Sequence, residues 1–138
     1  MPPFIGPHAT VEKHVTLPES AQLGQTPTST QLNAEFVNPI HVRDSRQVLV
    51  IGPVGTRVNG IVTAVYGQGV GRDQVYVFTG CFGGTLEMFE DAVIHRKVQG
   101  DPHRVQYEFV ITLIRRMMVY RMGKVEVPAG AEFFDDYG

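Results

Sequence analysis

The segment RVNGIVTAVYGQGVGRDQVYVFTG, residues 57–80, decides the fold class of this chain. It holds two runs rich in β-branched and aromatic residues on either side of the cluster Gly67, Gly69 and Gly71, and Gly80 closes the second run. Such residues favour strands, and glycines favour the turns between them. The segment therefore predicts two strands joined by a glycine loop.

Residues 105–113 carry the most regular alternation of apolar and polar residues. A period of two is typical of a strand with one apolar face, so we expect a central strand here with Phe109 buried. Residues 117–127 extend this interpretation as a final hairpin around Gly123. The alternating apolar residues are Val105, Tyr107, Phe109, Ile111 and Leu113.

One stretch fits two interpretations. Residues 85–89 follow Gly83 and Gly84 and can form another strand, but Leu86, Phe89 and Val93 also have the i, i+3, i+7 spacing of a helix. Short apolar runs leave this ambiguity open.

Short strands separated by glycine turns predict an all-β, or mainly β, fold: a small antiparallel barrel or sandwich. A further short run, residues 48–51, ends at Gly52 and Pro53. We divide the chain into an extended proline-rich N-terminal arm over residues 1–46, a β-barrel domain over 47–127 and an acidic C-terminal tail over 128–138. Residues that precede proline favour extended backbone, so the arm can lie against a partner or against its own barrel.

Composition restricts the function classes. The chain has 138 residues with 12 basic and 14 acidic side chains, a formal charge of −2, so no strong overall field attracts a polyanion. The single cysteine, Cys81, excludes an intramolecular disulfide and a multi-cysteine zinc site, which favours a reducing compartment. We expect no membrane span and no signal peptide, and hence an intracellular protein.

The sequence contains no residue pattern typical of a catalytic or metal site. The glycine cluster lacks dinucleotide-loop spacing, the histidines are scattered, and Cys81 has no neighbouring cation in the chain to activate its thiol. Glu87, Glu90 and Asp91 could supply paired carboxylates, but no second cluster accompanies them. We expect no catalytic residue, no metal, no cofactor and no enzymatic activity.

Charge is distributed unevenly along the chain. Residues 92–124 hold seven basic and two acidic side chains, and the tail beyond them is acidic. This pattern suits either a basic strip that contacts nucleic-acid phosphates or a solvated face that the tail partly neutralises. The candidate nucleic-acid contacts are Arg96, Lys97, Arg115, Arg116, Arg121 and Lys124.

The apolar residues exceed what a small barrel can enclose. Residues 117–122 are almost all apolar, so some must face outward, and surplus apolar surface marks a contact with another chain. We expect a hetero- or homo-oligomer. The candidate interface residues are Met118, Tyr120, Met122, Phe82, Phe36 and Val37.

A motif in residues 76–121 adds a resemblance to a known family. The motif begins with Tyr76-Val77-Phe78, Gly80, Phe82, Gly84-Thr85, Phe89-Glu90 and Asp91, and continues through Val93, His95, Gly100, Val105, Tyr107, Thr112, Met118 and Arg121. In these positions the chain resembles the sixth-subunit family of general transcription factor IIIC, which serves RNA polymerase III. The resemblance implies a triple-barrel domain that pairs with a matching barrel of another subunit, in the nucleus.

The sequence thus predicts a non-catalytic assembly subunit whose β-barrel pairs with another subunit. One alternative is an OB-like nucleic-acid-binding module, with strands at residues 58–62, 75–78 and 84–86. Another is a structural subunit of a virion or other shell, to which an ordered arm is also suited.

Overall fold

The structure, a computed structural model, describes residues 1–26, 36–55, 60–80, 82–96 and 100–123. Cys81, Lys97, Lys124 and the acidic tail lie outside these residues, as do the predictions made for them. In chain order the elements are β1 (Phe4–Ile5), β2 (Ala9–Val11), β3 (Gln22–Leu23), β4 (Ile40–Val42), a 3-10 turn (Ser45–Gln47), β5 (Val48–Ile51), β6 (Val62–Gln68), β7 (Gln74–Thr79), β8 (Phe82–Thr85), α1 (Leu86–Arg96) and α2 (Pro102–Arg121).

The central sheet has four antiparallel strands in the order β5-β6-β7-β8. Gly67, at an irregularity near the end of β6, and Gly69, in the loop from β6 to β7, have φ values of 71° and 80°, which glycine adopts without steric cost. The two predicted strands and the glycine loop are confirmed over residues 60–80, and residues 57–59 of the first predicted strand lie outside the described residues.

Both faces of this sheet are covered. Along β6, Val62, Ala64 and Tyr66 point into one core with the helices, while Val65 points into a second core on the opposite face. Strand β7 alternates in the same way. A strand buried on both faces reads as a continuous apolar run, which is the pattern seen in the sequence.

Helix α1 packs on the first face. The Thr85 hydroxyl accepts a hydrogen bond from the Met88 backbone N–H at 3.2 Å, which satisfies a free donor of the first helical turn. Leu86, Phe89 and Val93 are buried against the sheet. The helical interpretation of this stretch is confirmed, and the strand interpretation is wrong beyond Thr85.

Helix α2 replaces the central strand predicted at residues 105–113, and that prediction is wrong. The Asp101 side chain caps the helix by accepting from the His103 N–H at 2.7 Å, and Pro102 occupies the first turn, where proline is tolerated. The helix runs through residues 117–121, so the first half of the predicted hairpin is wrong as well. Phe109, expected to be buried, is 70% exposed.

The N-terminal residues cover the second face. β1 pairs with β3 and β2 with β4, each in a parallel two-stranded sheet. Leu23, Ile40 and Val42 are buried there against Tyr76 and Phe78. The arm was expected to lie against a partner or against its own domain. Its described residues pack on the chain's own sheet.

Glutamine amides join this N-terminal layer to the sheet. The Gln68 amide accepts from the His41 N–H and donates to the His41 carbonyl, both at 2.9 Å, as a neighbouring strand would. Gln47 donates to the Tyr66 carbonyl at 2.9 Å and accepts from two backbone N–H groups before it. The Gln22 N–H donates to the Thr63 hydroxyl at 2.9 Å.

The strand-rich character of the prediction is therefore confirmed, with two helices added on one face. Within the described part of the chain, the four-stranded sheet does not close into a barrel, because β5 and β8 are its two edges. The edge strand β8 approaches β7 closely. A Cβ on Gly83 would lie 2.5 Å from the Gln25 Cγ atom and 3.0 Å from the Phe78 ring, so a larger residue at this position would have to displace these side chains.

Candidate protein-binding surface

Helix α2 presents apolar side chains to solvent along one side. At about 100° of rotation per residue, they fall within an arc of about 80° together with the exposed Arg116. We call these five residues the α2 stripe. Its apolar members are Val105, Phe109, Leu113 and Tyr120, which are 39%, 70%, 43% and 45% exposed.

The opposite side of the same helix fills the core. Val110, Ile111 and Ile114 are buried, and Tyr107 and Met117 pack beside them. A helix that covers one sheet face needs only one apolar side. The outward side chains of Val105, Phe109 and Leu113 are therefore not needed to cover the sheet.

A shallow groove of about 250 Å³ separates α2 from α1. Two ion pairs line it: Arg115 binds the Glu90 carboxylate through two contacts of 2.7 Å, and Arg104 donates to Glu108 at 2.6 Å. The hydrogen bonds from Arg115 lower the pKa of the Glu90 carboxyl group against a smaller opposing effect of burial. Because each guanidinium faces a carboxylate, these two pairs give the groove no charge excess that would select an ionic ligand.

The predicted interface residues do not form one surface. Met118, Met122 and Phe82 pack onto the helix-side core, and the Phe82 ring lies 5.4 Å from that of Phe89. Tyr120 belongs to the α2 stripe.

Phe36 and Val37, the two predicted interface residues from the arm, lie in different environments. The ring of Phe36 meets that of Tyr76 edge-on at 5.0 Å in the second core. Val37 is 51% exposed, in the segment before β4.

The sequence prediction missed Val105, Phe109 and Leu113 as surface residues, because it assigned them to the inner face of a strand. Two signals could have located them. Asp101-Pro102 is typical of a helix start. In addition, the apolar positions 107, 110, 111, 114, 117 and 118 follow a helical period, which leaves 105, 109 and 113 on the other side.

The predicted basic strip is dispersed among its described members. Arg115 is bound to Glu90. Arg121 donates to the carbonyls of Arg46 and Val48 at 2.9 and 3.3 Å and lies 5.7 Å from the centre of the Tyr66 ring. Arg116 is exposed within the α2 stripe, and Arg96 is the last residue of α1.

Among the described residues, the carboxyl groups with a perturbed pKa are shifted downward, by hydrogen bonds from a neighbouring histidine, arginine or backbone N–H. They are Glu12, Asp44, Glu90 and Asp101. A general acid at neutral pH needs a shift in the opposite direction. Burial raises the pKa of Tyr66 to about 12, and its hydroxyl donates to the Ile114 carbonyl at 3.3 Å.

Among the described residues, no group of three or more His, Cys, Asp or Glu side chains is placed to hold a metal ion. Across the same part of the chain, no helix has the length and apolar character needed to cross a membrane. Comparisons with protein-family models, curated proteins and solved structures found no significant match to this chain.

Proposed function

We propose that this chain is a non-catalytic assembly module that binds another protein through the α2 stripe. The observation that carries the proposal is Phe109, which is 70% exposed near the middle of a helix whose other side already fills the core. Burying a large apolar side chain stabilises a complex by roughly 1.5–3 kcal/mol. Contact with another protein gives this surplus surface a role.

The composition and rigidity of the stripe support the proposal. Aromatic residues and arginine are enriched in protein interfaces, and Phe109, Tyr120 and Arg116 supply both kinds. The helix that holds them is capped by Asp101 at its start, and Gly123, at a φ of 65°, follows its end. A rigid helix loses little conformational entropy on binding.

The resemblance to the sixth-subunit family supports a narrower form of this proposal. In that form the partner is a barrel subunit of an RNA polymerase III transcription factor complex, and the chain acts in the nucleus. This assignment depends on residues 76–121 and the pairing mode of the family. Assembly through the α2 stripe does not require it.

Direct nucleic-acid binding receives less support from the geometry. Arg115 is held by Glu90, and Arg121 is turned toward backbone carbonyls and the Tyr66 ring. A phosphate-binding strip needs several adjacent cations, and these two are already engaged. The dispersed basic residues therefore favour the protein-binding proposal.

Site-specific photo-crosslinking tests the proposal. A photoreactive residue at position 109 should crosslink to a partner protein, while the same residue at position 70 should not, because Val70 is fully exposed but lies in the loop from β6 to β7. The purified partner should then bind the Leu113→Ser variant at least about tenfold more weakly than the wild type. Equal crosslinking at both positions, or unchanged affinity of Leu113→Ser, would refute the proposal.

A further inference from the structure

The α2 stripe is nearly symmetrical about its own midpoint. Counted along the helix from the point between Thr112 and Leu113, Phe109 and Arg116 lie equally far on opposite sides. Val105 and Tyr120 are a second such pair, farther out. In a two-fold contact between antiparallel helices, a residue on one side of the axis meets the residue that lies equally far on the other side in the second copy.

We infer that the α2 stripe binds a second copy of this chain, with the two α2 helices packed antiparallel about a two-fold axis near Thr112 and Leu113. This inference rests on the proposed function and names its partner. In this arrangement Leu113 lies at the centre of the contact. Phe109 of each copy faces Arg116 of the other, and Val105 faces Tyr120 in the same way.

Charge favours the antiparallel arrangement over the parallel one. Arg116 is the charged member of the α2 stripe, and a parallel pair would place the two Arg116 side chains beside each other. The antiparallel pair instead places each guanidinium against the ring of Phe109, where a cation is attracted to the π face. Glu108 lies next to Phe109, and its carboxylate, which Arg104 of the same helix binds at 2.6 Å, can also accept from the other copy's guanidinium.

The size of the contact determines the expected affinity. The α2 stripe runs from Val105 to Tyr120 and is about 22 Å long, so the contact is smaller than a standard interface, which buries about 1,200–2,000 Å². We expect a weak, reversible dimer that forms as the protein concentration rises.

Sedimentation velocity of the purified full chain, over a micromolar concentration series, tests the inference. The wild type should shift from monomer to dimer with concentration. Phe109→Ser should raise the dissociation constant at least about tenfold, whereas the matched control Val70→Ser should leave it unchanged. Far-UV circular dichroism checks that each variant is folded.

A charge exchange tests the antiparallel pairing itself. Arg116→Glu and Glu108→Arg should each weaken self-association, because like charges then meet across the axis twice. An equimolar mixture of the two variants should associate again, since both cross-pairs regain opposite charges, and added salt should weaken this mixture. Folded variants that fail to associate when mixed would overturn the antiparallel arrangement.

If the wild-type chain stays monomeric throughout the concentration series, the inference that a second copy binds the α2 stripe is wrong. In that case, a crosslink from position 109 to a different protein would leave the proposed function intact. The two proposals therefore fail in different experiments.

Discussion

The two faces of the central sheet are covered in different ways. On the helix side, α1 and α2 satisfy their own backbone hydrogen bonds, and they meet the sheet mainly through apolar side chains such as Phe89 and Ile114. On the N-terminal side, strands of two or three residues depend on side chains to complete their hydrogen bonding: the Thr63 hydroxyl accepts from the Gln22 N–H, and the amides of Gln47 and Gln68 bind the backbone of His41. Short strands thus need polar contacts to fix their position on the sheet. A helix needs none, because one side packs on the sheet and the other side stays available to contact another protein.

The largest expected difference in the free energy of unfolding is between a variant of a core phenylalanine and a variant of a phenylalanine in the α2 stripe. Phe78 is fully buried between sheet and N-terminal layer, so Phe78→Ala should lower the free energy of unfolding by about 3–5 kcal/mol. Phe109→Ala should change it by less than about 0.5 kcal/mol, because this ring is 70% exposed. Denaturant unfolding of dilute, monomeric protein measures both. Similar losses for the two variants would mean that α2 has been assigned the wrong outward face.

An intermediate effect is expected from the amide contacts. Gln68→Leu removes the partners of both the N–H and the carbonyl of His41 and should destabilise the fold by about 1–3 kcal/mol. The matched control is Gln106→Leu on the exposed surface of α2, where the side chain accepts from the Gly55 N–H at 2.8 Å. We expect the control to cost less than half as much in denaturant unfolding, and equal costs would contradict the distinction between the two faces.

The smallest effect concerns the ion pair between the helices. Arg115 and Glu90 are partly exposed, with side-chain exposures of 43% and 35%, so Arg115→Met should cost no more than about 1 kcal/mol at neutral pH. The pKa of Glu90 is lowered from 4.5 in the folded chain, so the pair stabilises the fold above pH 4.5 and loses this contribution as the pH falls through the lowered value. Below that value, the wild type and Arg115→Met should approach equal stability. A difference that persists or grows in acid would show that Arg115 acts through packing.

The sequence predicted the sheet well because its signals were local and unambiguous. β6, β7 and the turn between them follow from β-branched residues interrupted by Gly67 and Gly69. Leu86 and Phe89 were correctly recognised as a helical spacing in one of the two interpretations.

Helix α2 was mispredicted because its two apolar sides together imitate alternation. Phe109 and Leu113 on the outer side and Tyr107 and Ile111 on the inner side occupy every second position, which is the period of a strand. The Asp101 cap is the feature that distinguishes a helix from a strand in this segment. The same double apolar character hid the candidate surface, since a residue assigned to an inner strand face cannot also be expected on the outside.

The N-terminal layer could not be predicted from local patterns at all. The register that pairs Ala9 with Ile40 and Val11 with Val42 joins residues about thirty positions apart. The contacts that hold these strands, such as the one between Gln68 and His41, depend on a sheet that follows them in the chain. Such long-range pairing leaves no periodic signal in the segments themselves.

This arrangement has a consequence for the order of events on the ribosome. β1 to β4 are synthesised first, but the surface they cover is formed by Val65, Tyr76 and Phe78. At about 5–20 residues per second, the first strands wait several seconds before that surface leaves the exit tunnel. The N-terminal layer therefore cannot pack on the sheet until residues 65–78 have emerged, and its apolar side chains lack this cover during the interval.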